Sequence, residues 1–561
     1  MARTHLMSFV LRALRTARQA AALGMPVKEY AAMRRERAQF DRRTFLQLTA
    51  GTAGAAMLTA CGGDIEQSVA IVGGGMAGLH CAYRLKRLGV KAQVYEASAR
   101  VGGRMFTERT RFPQGQHCEL GGELIDTGHV TMHDLAQELE IELLDYNDDD
   151  PDLSRLVSFF DGRRLTEEEI LEGFAPIAES IDGALGTLED PEEYITYQTP
   201  NGAQQLDQLS LRAWLDTVGI PPADPARRLI ELAYVGEFGL ETDVCNCLNL
   251  LTFISTDTTR LELFGESDER FHTKEGNDLF TQRLAEKLEP DQIKLQHRLV
   301  ALRALTDGRY QLTFSGSAGT TEVKADHVVL ALPFTVLRQV ELNVEMPEAK
   351  RKAIAELGYG TNAKLMVGFS SRPWRDQPHL SDGSTYADVG YDQTWETSRL
   401  QPGTAGIITN FVGGLNGLAM GEGTPEQRAS AFLEGFNRVF PGSRQASNGI
   451  AVRMQWPSYP LTLGSYASYK VGQYTTIAGA EIERVDNLHF CGEHTSLDAQ
   501  GFMEGAALTG AMAADEVASD LGLSVEERLG PGASIMARAR MARVHGRWLD
   551  GMRRSRRRQA G

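Results

Sequence analysis

Ser68-Val-Ala-Ile-Val72, Gly73-Gly-Gly75-Met-Ala-Gly78 and Leu79-His-Cys-Ala-Tyr-Arg-Leu-Lys-Arg-Leu88 follow one another without a break, and they decide the fold. The first run is short, β-rich and closed by glycine, which reads as a strand; the last places its apolar residues at helical spacing. A strand, a glycine turn and a helix in immediate succession open a doubly wound α/β sheet that binds a dinucleotide. Gly73 permits the tight turn, Gly75 lets the backbone approach a pyrophosphate, and Gly78 allows the helix to pack close to the strand. Met76 and Ala77 sit at the helix amino end, where free N–H groups and partial positive charge suit phosphate. A second strand, Ala92-Gln-Val-Tyr95, ends in Glu96, a carboxylate placed to accept both ribose hydroxyls of an adenosine and to disfavour an added phosphate.

The continuation, Ala97-Ser-Ala-Arg100-Val-Gly102-Gly103-Arg104-Met-Phe-Thr107, separates FAD from NAD. It resembles the glycine-glycine-arginine segment of glutathione reductase-like and amine oxidase flavoproteins. Two more glycines allow a second close approach to the pyrophosphate, and Arg104 offers it a bidentate fork. Near the other end, Asn487-Leu-His-Phe-Cys-Gly492-Glu493-His494-Thr495 reads as a strand into a glycine turn. Gly501-Phe502-Met503-Glu-Gly505 then opens a helix whose amino end would face the flavin C2 carbonyl. An amino-terminal fingerprint paired with a carboxy-terminal Gly-Glu segment resembles the flavin amine oxidase family, and the likeness runs from about Ser68 to Ser519.

Further motifs carry the resemblance. Glu119-Leu-Gly121-Gly122-Glu123-Leu-Ile-Asp126 resembles the stretch passing the flavin ring, and Arg270 to Leu279, with Gly276-Asn277, a helix start. His297-Arg-Leu-Val300-Ala-Leu302 resembles the strand whose Val backbone meets the adenine, and Asp326 to Pro333 the strand leaving the cofactor domain. The implied fold is α/β: a Rossmann-like FAD-binding domain of discontinuous segments (66–118, 269–334 and 451–520) plus an α+β substrate-binding domain (119–268 and 335–450). Periodicity agrees, with helical spacing around Leu206–Leu215 and Ala226–Tyr234 and strand-like runs at Lys364–Phe369 and Gly406–Val412.

The resemblance also implies the site. Lys364 matches the lysine that holds a water near flavin N5, and a Lys in an apolar strand is costly to bury without such a role. Trp456 and Tyr466 match the Trp and glycine-x-tyrosine pattern; with Phe502, Tyr466 would form an aromatic cage that binds an amine by the ring faces. Ser465 stands where mitochondrial monoamine oxidases link FAD through cysteine, so the flavin is expected to be noncovalent. Gly121-Gly122-Glu123-Leu124 lacks the arginine with which venom-type L-amino acid oxidases hold a carboxylate, leaving Arg260 as another source. That favours amines, including diamines whose distal ammonium would pair with Glu123.

The reaction implied is FAD-dependent oxidation of a primary or secondary amine to an imine, which water hydrolyses, with electrons passing on to O2 or to a redox protein. L-amino acid oxidation on the same scaffold is the rival. A non-catalytic, FAD-containing anchored protein is the alternative from another class.

Charge and targeting are read independently of that site. Residues 1–43 carry +7 and residues 534–561 carry +8, so a net charge of −16 leaves −31 on the body between them. A body that acidic favours cationic ligands and disfavours nucleic acid. Asp41-Arg42-Arg43-Thr-Phe-Leu-Gln resembles the twin-arginine export motif; a mildly apolar run follows and ends in Leu58-Thr-Ala-Cys61, which resembles a lipoprotein box. Residues 1–61 therefore read as a signal, Cys61 as the lipidated residue, and the mature protein as periplasmic or extracytoplasmic and lipid-anchored to a membrane. The tail 521–561 is basic, and its Met536 to Arg558 reads as a membrane-surface or disordered segment. Cys245-x-Cys247 reads as structural, no His/Cys spacing suggests a metal, and the acidic run Asp145 to Asp152 reads as a solvated turn. A homodimer is left open.

Overall fold

The computed structural model describes residues 67–529, apart from 191–192, 259–260, 266 and 318. The signal segment with Cys61, Arg260 and Met536 to Arg558 lie outside the described residues. Apart from Asp150–Asp152, the described residues belong to one compact unit.

The opening stretch forms strand β1 (Val69–Val72) and helix α1 (Met76–Arg87), followed by β2 (Ala92–Tyr95). Three strands from later in the chain join them: β3 (Ile293–Lys294), β4 (His327–Leu330) and β5 (Leu488–Phe490). The sheet order is β5-β4-β1-β2-β3, parallel throughout. All four residues of β1 are buried, as a central parallel strand covered on both faces requires. The order reverses between β1 and β4, so the ligand crevice of such a sheet opens beyond their carboxyl ends, where Gly73 and Ala331 meet. A Cβ on Gly73, whose φ is +113°, would lie 2.5 Å from the Ala331 carbonyl oxygen.

Helix α2 (Met503–Asp520) lies across α1. Small residues make the crossing close: a Cβ on Gly510 would meet the Ala77 carbonyl oxygen at 2.2 Å. The buried Arg84–Asp515 pair, at 2.5 Å, and the contact between His80 Nδ1 and the Ala507 carbonyl, at 2.7 Å, lock the two helices.

The second layer is a seven-stranded sheet ordered Ser447–Gln455, Ala363–Phe369, Gly406–Val412, Gln393–Glu396, Thr385–Ala387, Val157–Phe160 and Arg163–Leu165. Its first strand crosses the expected domain border at 450/451, because residues 451–455 stay paired with Ala363–Val367. Helices Leu211–Val218 and Pro225–Phe238 occupy the expected helical region, the second capped by Asp224 with Pro225 in its first turn. Within Ala363–Phe369 the pleat puts Leu365, Val367 and Phe369 against helix Pro425–Val439. Met366 and, by alternation, Lys364 face the other way, where Met366 packs with Leu120 and Trp456. The strand is buried at all seven positions, so its one lysine must find partners inside.

Two expectations are refined. Part of the acidic run is no solvated turn: Asp145 pairs with Arg270, and buried Asp149 takes Arg375 at 2.9 Å and Arg399 at 3.0 Å. The described cysteines, Cys81, Cys118, Cys245, Cys247 and Cys491, are free and buried, and burial pushes the thiols of Cys245 and Cys247 up to about 12. Both therefore stay protonated.

Candidate active site

One cavity of about 710 Å³ runs from the crevice between β1 and β4 to the face of the seven-stranded sheet. At the crevice end it is lined by Gly73, Gly75, Met76, Ala77 and Glu96. Gly78 stays behind the turn, where a Cβ would lie 2.0 Å from the Gly73 carbonyl oxygen. Glu96 holds the turn: one carboxylate oxygen accepts from Gly74 N at 2.7 Å and the other from Ser98 N at 2.8 Å.

The second glycine turn abuts the first. Gly75 and Gly102 form a parallel bridge, and a Cβ on Gly103 would meet the Gly75 Cα at 3.4 Å. Arg100 cinches this turn through the carbonyls of Val101, Met105 and Gly103, at 2.9, 3.3 and 2.6 Å, a role the sequence did not reveal. Gly75 caps α1 without a side-chain bond, and the first turn of α1 has no acid. Two bare backbone turns, an uncapped helix start and a carboxylate at the end of β2 fit the pyrophosphate and ribose of FAD.

Arg104 lines the cavity, but its Nη1 is already committed, to Glu493 at 2.6 Å and to the Ser465 carbonyl at 2.7 Å. Glu493 in turn accepts from Ala467 N and Gly501 N, so it joins three loops. Gly492, Glu493 and Met503 also line the cavity. Val300 does not: it is exposed at a bulge of strand Arg298–Ala304, and its neighbours His297, Arg298 and Leu299 form that part of the wall.

At the other end Gly121, Gly122 and Glu123 pass along the wall. Asn277 fixes this loop by donating to the carbonyls of Gly122 and Glu123, at 3.0 and 2.6 Å, while its own N–H goes to Glu119 at 2.8 Å. Trp456 donates to the Leu120 carbonyl at 2.9 Å. Lys364 Nζ donates to Gly121 O and Glu123 Oε2, both at 2.7 Å, and to Glu119 O at 3.3 Å. Burial alone would raise the Glu123 carboxyl, but Lys364, His272 and the Thr397 hydroxyl hold it below the usual value. Trp395 Nε1, at 2.9 Å, and Thr397, at 2.5 Å, complete its partners. Glu123 is thus saturated from within, which corrects the expectation that it would receive a substrate ammonium.

The aromatic pair lines the same end. The Tyr466 hydroxyl donates to the Glu237 carbonyl at 2.5 Å, and Phe502 caps α2 with its ring edge-on to His129. Ser465 donates to Asn362 at 2.6 Å.

Sequence reading missed two acids on this wall, Glu237 and Glu269. Burial pushes the Glu237 carboxyl up to about 7, with Asp126 adding repulsion. Burial, then Glu237 and Asp126, push Glu269 up to about 8. Glu269 has φ +43°, rare for a residue with a side chain, and its N–H is held by Asp126 at 2.8 Å. Neither carboxylate has an ion-pair partner among the described residues. They differ from Glu123 in needing a proton or a cation from the cavity.

A family model described as flavin containing amine oxidoreductase matches residues 76–518. Flavin-containing amine oxidase B of Sus scrofa is 23% identical over 477 residues, 82% of this chain and 88% of that protein. Pseudooxynicotine dehydrogenase of a Pseudomonas species is 22% identical over 472 residues, covering 82% and 87%. Among solved structures, putrescine oxidase bound to putrescine aligns with a TM-score of 0.67 at 19% identity, over 81% of this chain and 99% of that one. Cyclohexylamine oxidase from Brevibacterium oxydans aligns with a TM-score of 0.70 at 21% identity, with the same coverage. The match takes in both layers of the fold, and the chain belongs to the flavin-containing amine oxidoreductases, FAD-dependent enzymes that oxidise amines.

Proposed function

We propose that the preferred substrate is an amine carrying a second cationic group, a diamine or longer polyamine. The unpaired carboxylates of Glu237 and Glu269 on the cavity wall carry this reading. A distal ammonium between them replaces a proton with a charge-assisted contact, while a simple alkyl tail would leave two desolvated acids unmet. Among the described residues, the rival amino acid reading finds no free basic partner for a carboxylate on the cavity wall. Of the basic side chains on the wall, Lys364 serves Glu123, Arg104 serves Glu493, Arg100 serves its own loop and Arg298 serves Gln339.

When bound, FAD supplies the two-electron acceptor for the C–H bond next to the amine nitrogen. Tyr466 and Phe502 orient the reacting nitrogen and keep water from it. Lys364 and Glu123 hold the 119–123 loop on the cavity wall, and the Lys364 cation would steady negative charge developing on a cofactor bound beside it. Re-oxidation by O2 is supported by the Lys364 cation, which reaches that loop from the buried strand Ala363–Phe369. The test is anaerobic bleaching of the flavin by diamines and by alkylamines of equal length. Diamines should win by roughly ten- to hundredfold in second-order rate, and Glu269→Gln should erase most of the difference, as expected for a charge-assisted hydrogen bond. Equal rates in the wild type would refute the proposal.

We further propose export by the twin-arginine route and anchoring through lipid on Cys61, supported by the order Arg42-Arg43, apolar run, Leu58-Thr-Ala-Cys61. Cys61→Ser should release the activity from the membrane fraction; membrane retention of that variant would reject the anchor.

A further inference from the structure

The amino edge of the cofactor sheet, away from the cavity, holds a second group of reactive side chains. His327 opens β4 and His489 lies in the neighbouring β5, with ring centroids 5.9 Å apart and planes at 29°. Asp520, the last residue of α2, brings Oδ2 to 3.5 Å from His489 Nε2 and 3.9 Å from His327 Nδ1. All three atoms lie within 4.8 Å of one another.

The tautomers of both rings are set from outside the cluster. His489 Nδ1 is 2.9 Å from Glu516 Oε2, an acceptor, so Nδ1 carries the proton. His327 Nε2 is 2.9 Å from Gln67 Oε1, and the same logic puts its proton there. The lone pairs of His489 Nε2 and His327 Nδ1 are thereby turned toward Asp520. Both nitrogens are buried without a hydrogen-bond partner, on side chains only 0% and 2% exposed.

Two imidazole lone pairs and a carboxylate facing one another repel unless a cation is shared among them. Arg484 Nη1 lies 2.9 Å from each Asp520 oxygen, so it meets the carboxylate but leaves both imidazole nitrogens bare. The helix end calls for positive charge as well. The last turn of α2 has no basic residue, while Glu516 and Asp520 stand beside its carbonyl-rich terminus.

We propose that His327 Nδ1, His489 Nε2 and Asp520 Oδ2 form a binding site for a first-row divalent metal, with Zn²⁺ the best match. Two imidazoles and one carboxylate are a common set for Zn²⁺, and small shifts bring the three atoms to bonding distances of about 2.0–2.2 Å. Glu516 and Gln67 then act as the outer acceptors that orient metal-bound histidines. The site would clip edge strand β5 and the end of α2 to β4; none of its ligands lines the amine cavity. The other His and carboxylate group among the described residues, His117, Glu119 and His272, is the weaker candidate, because it is enclosed on all sides, with Glu119 0% exposed, and leaves a metal no path of entry.

Untagged, FAD-loaded protein, stripped with a chelator and titrated with Zn²⁺ by calorimetry, tests the site. One equivalent per chain is expected, with a higher melting temperature on binding. Glu516→Gln, which spares all three ligands and keeps a polar group of the same shape, should weaken Zn²⁺ by roughly ten- to hundredfold and leave amine turnover unchanged. His489→Gln and Asp520→Asn should abolish the tight equivalent, and His117→Gln should keep it. No tight Zn²⁺ in the wild type, an unchanged affinity in Glu516→Gln, or loss of binding in His117→Gln alone would each overturn the assignment.

Discussion

Replacing Lys364 with Met removes one half of a buried ion pair and leaves the other half in place. The pair is 2.7 Å long, and its side chains are 7% and 2% exposed. Breaking such a pair costs about 3–5 kcal/mol, because the remaining charge is stranded in a poorly polarisable interior. Glu123 keeps Trp395 and Thr397 as donors, which puts the expected loss near the lower end, about 3 kcal/mol. Glu123→Gln should cost a similar amount by stranding Lys364 against two carbonyls. The double variant Lys364→Met/Glu123→Gln buries no charge at this position, so its loss should fall short of the sum by about 2 kcal/mol or more. Urea unfolding of the four proteins at a fixed excess of FAD reads the cycle. The sign with pH is also fixed. A carboxyl held below its ordinary value of 4.5 stabilises the fold above that pH and ceases to do so as pH falls through the lowered value. The gap between wild type and Lys364→Met should therefore narrow in acid. Additivity within about 0.5 kcal/mol, or a gap that widens in acid, would refute the reasoning.

Gly78→Ala places a methyl 2.0 Å from the Gly73 carbonyl oxygen, a backbone atom that cannot step aside. It should destabilise the cofactor domain by at least 1–3 kcal/mol, roughly the cost of overpacking, and yield protein depleted of FAD, read from its visible absorbance. Diamine binding should strengthen as pH rises through about 7 to 8, where Glu237 and Glu269 lose their protons, provided the substrate keeps both charges. Glu269→Gln should lose the upper part of that rise in the pH profile of kcat/KM, whereas a profile unchanged by the substitution would remove Glu269 from the binding site.

The cofactor half of the site was legible because its chemistry is local. Gly73, Gly75 and Gly78 act within one turn, and Glu96 lies at the end of the next strand. The strands Lys364–Phe369 and Gly406–Val412 were legible from apolar runs bounded by turn residues. What stayed hidden depends on partners far along the chain. Glu123 reads as a free acid until Lys364, Trp395 and Thr397 are folded onto it. Glu269, next to Arg270 in a charged stretch, reads as a surface residue until the cavity wall closes around it. Val300 missed the wall by one residue, since a bulge shifts the strand register and periodicity carries no sign of a bulge. The cluster of His327, His489 and Asp520 has no spacing to detect, because neighbouring strands and a helix end bring its members together.

The crossing of α1 and α2 sets an order of events during synthesis. Residue 77 emerges from the ribosome hundreds of residues before Gly510, which must pack on its backbone at a distance that tolerates no side chain. The amino-terminal turn therefore waits, exposed and without its covering helix, until almost the whole described chain has been made. FAD cannot be fully enclosed before that moment, so cofactor retention doubles as a report that translation has reached α2. A chain truncated before Met503 should emerge without flavin and as a substrate for proteases, so any step that accepts only the coloured, enclosed form passes only molecules in which α2 has been made.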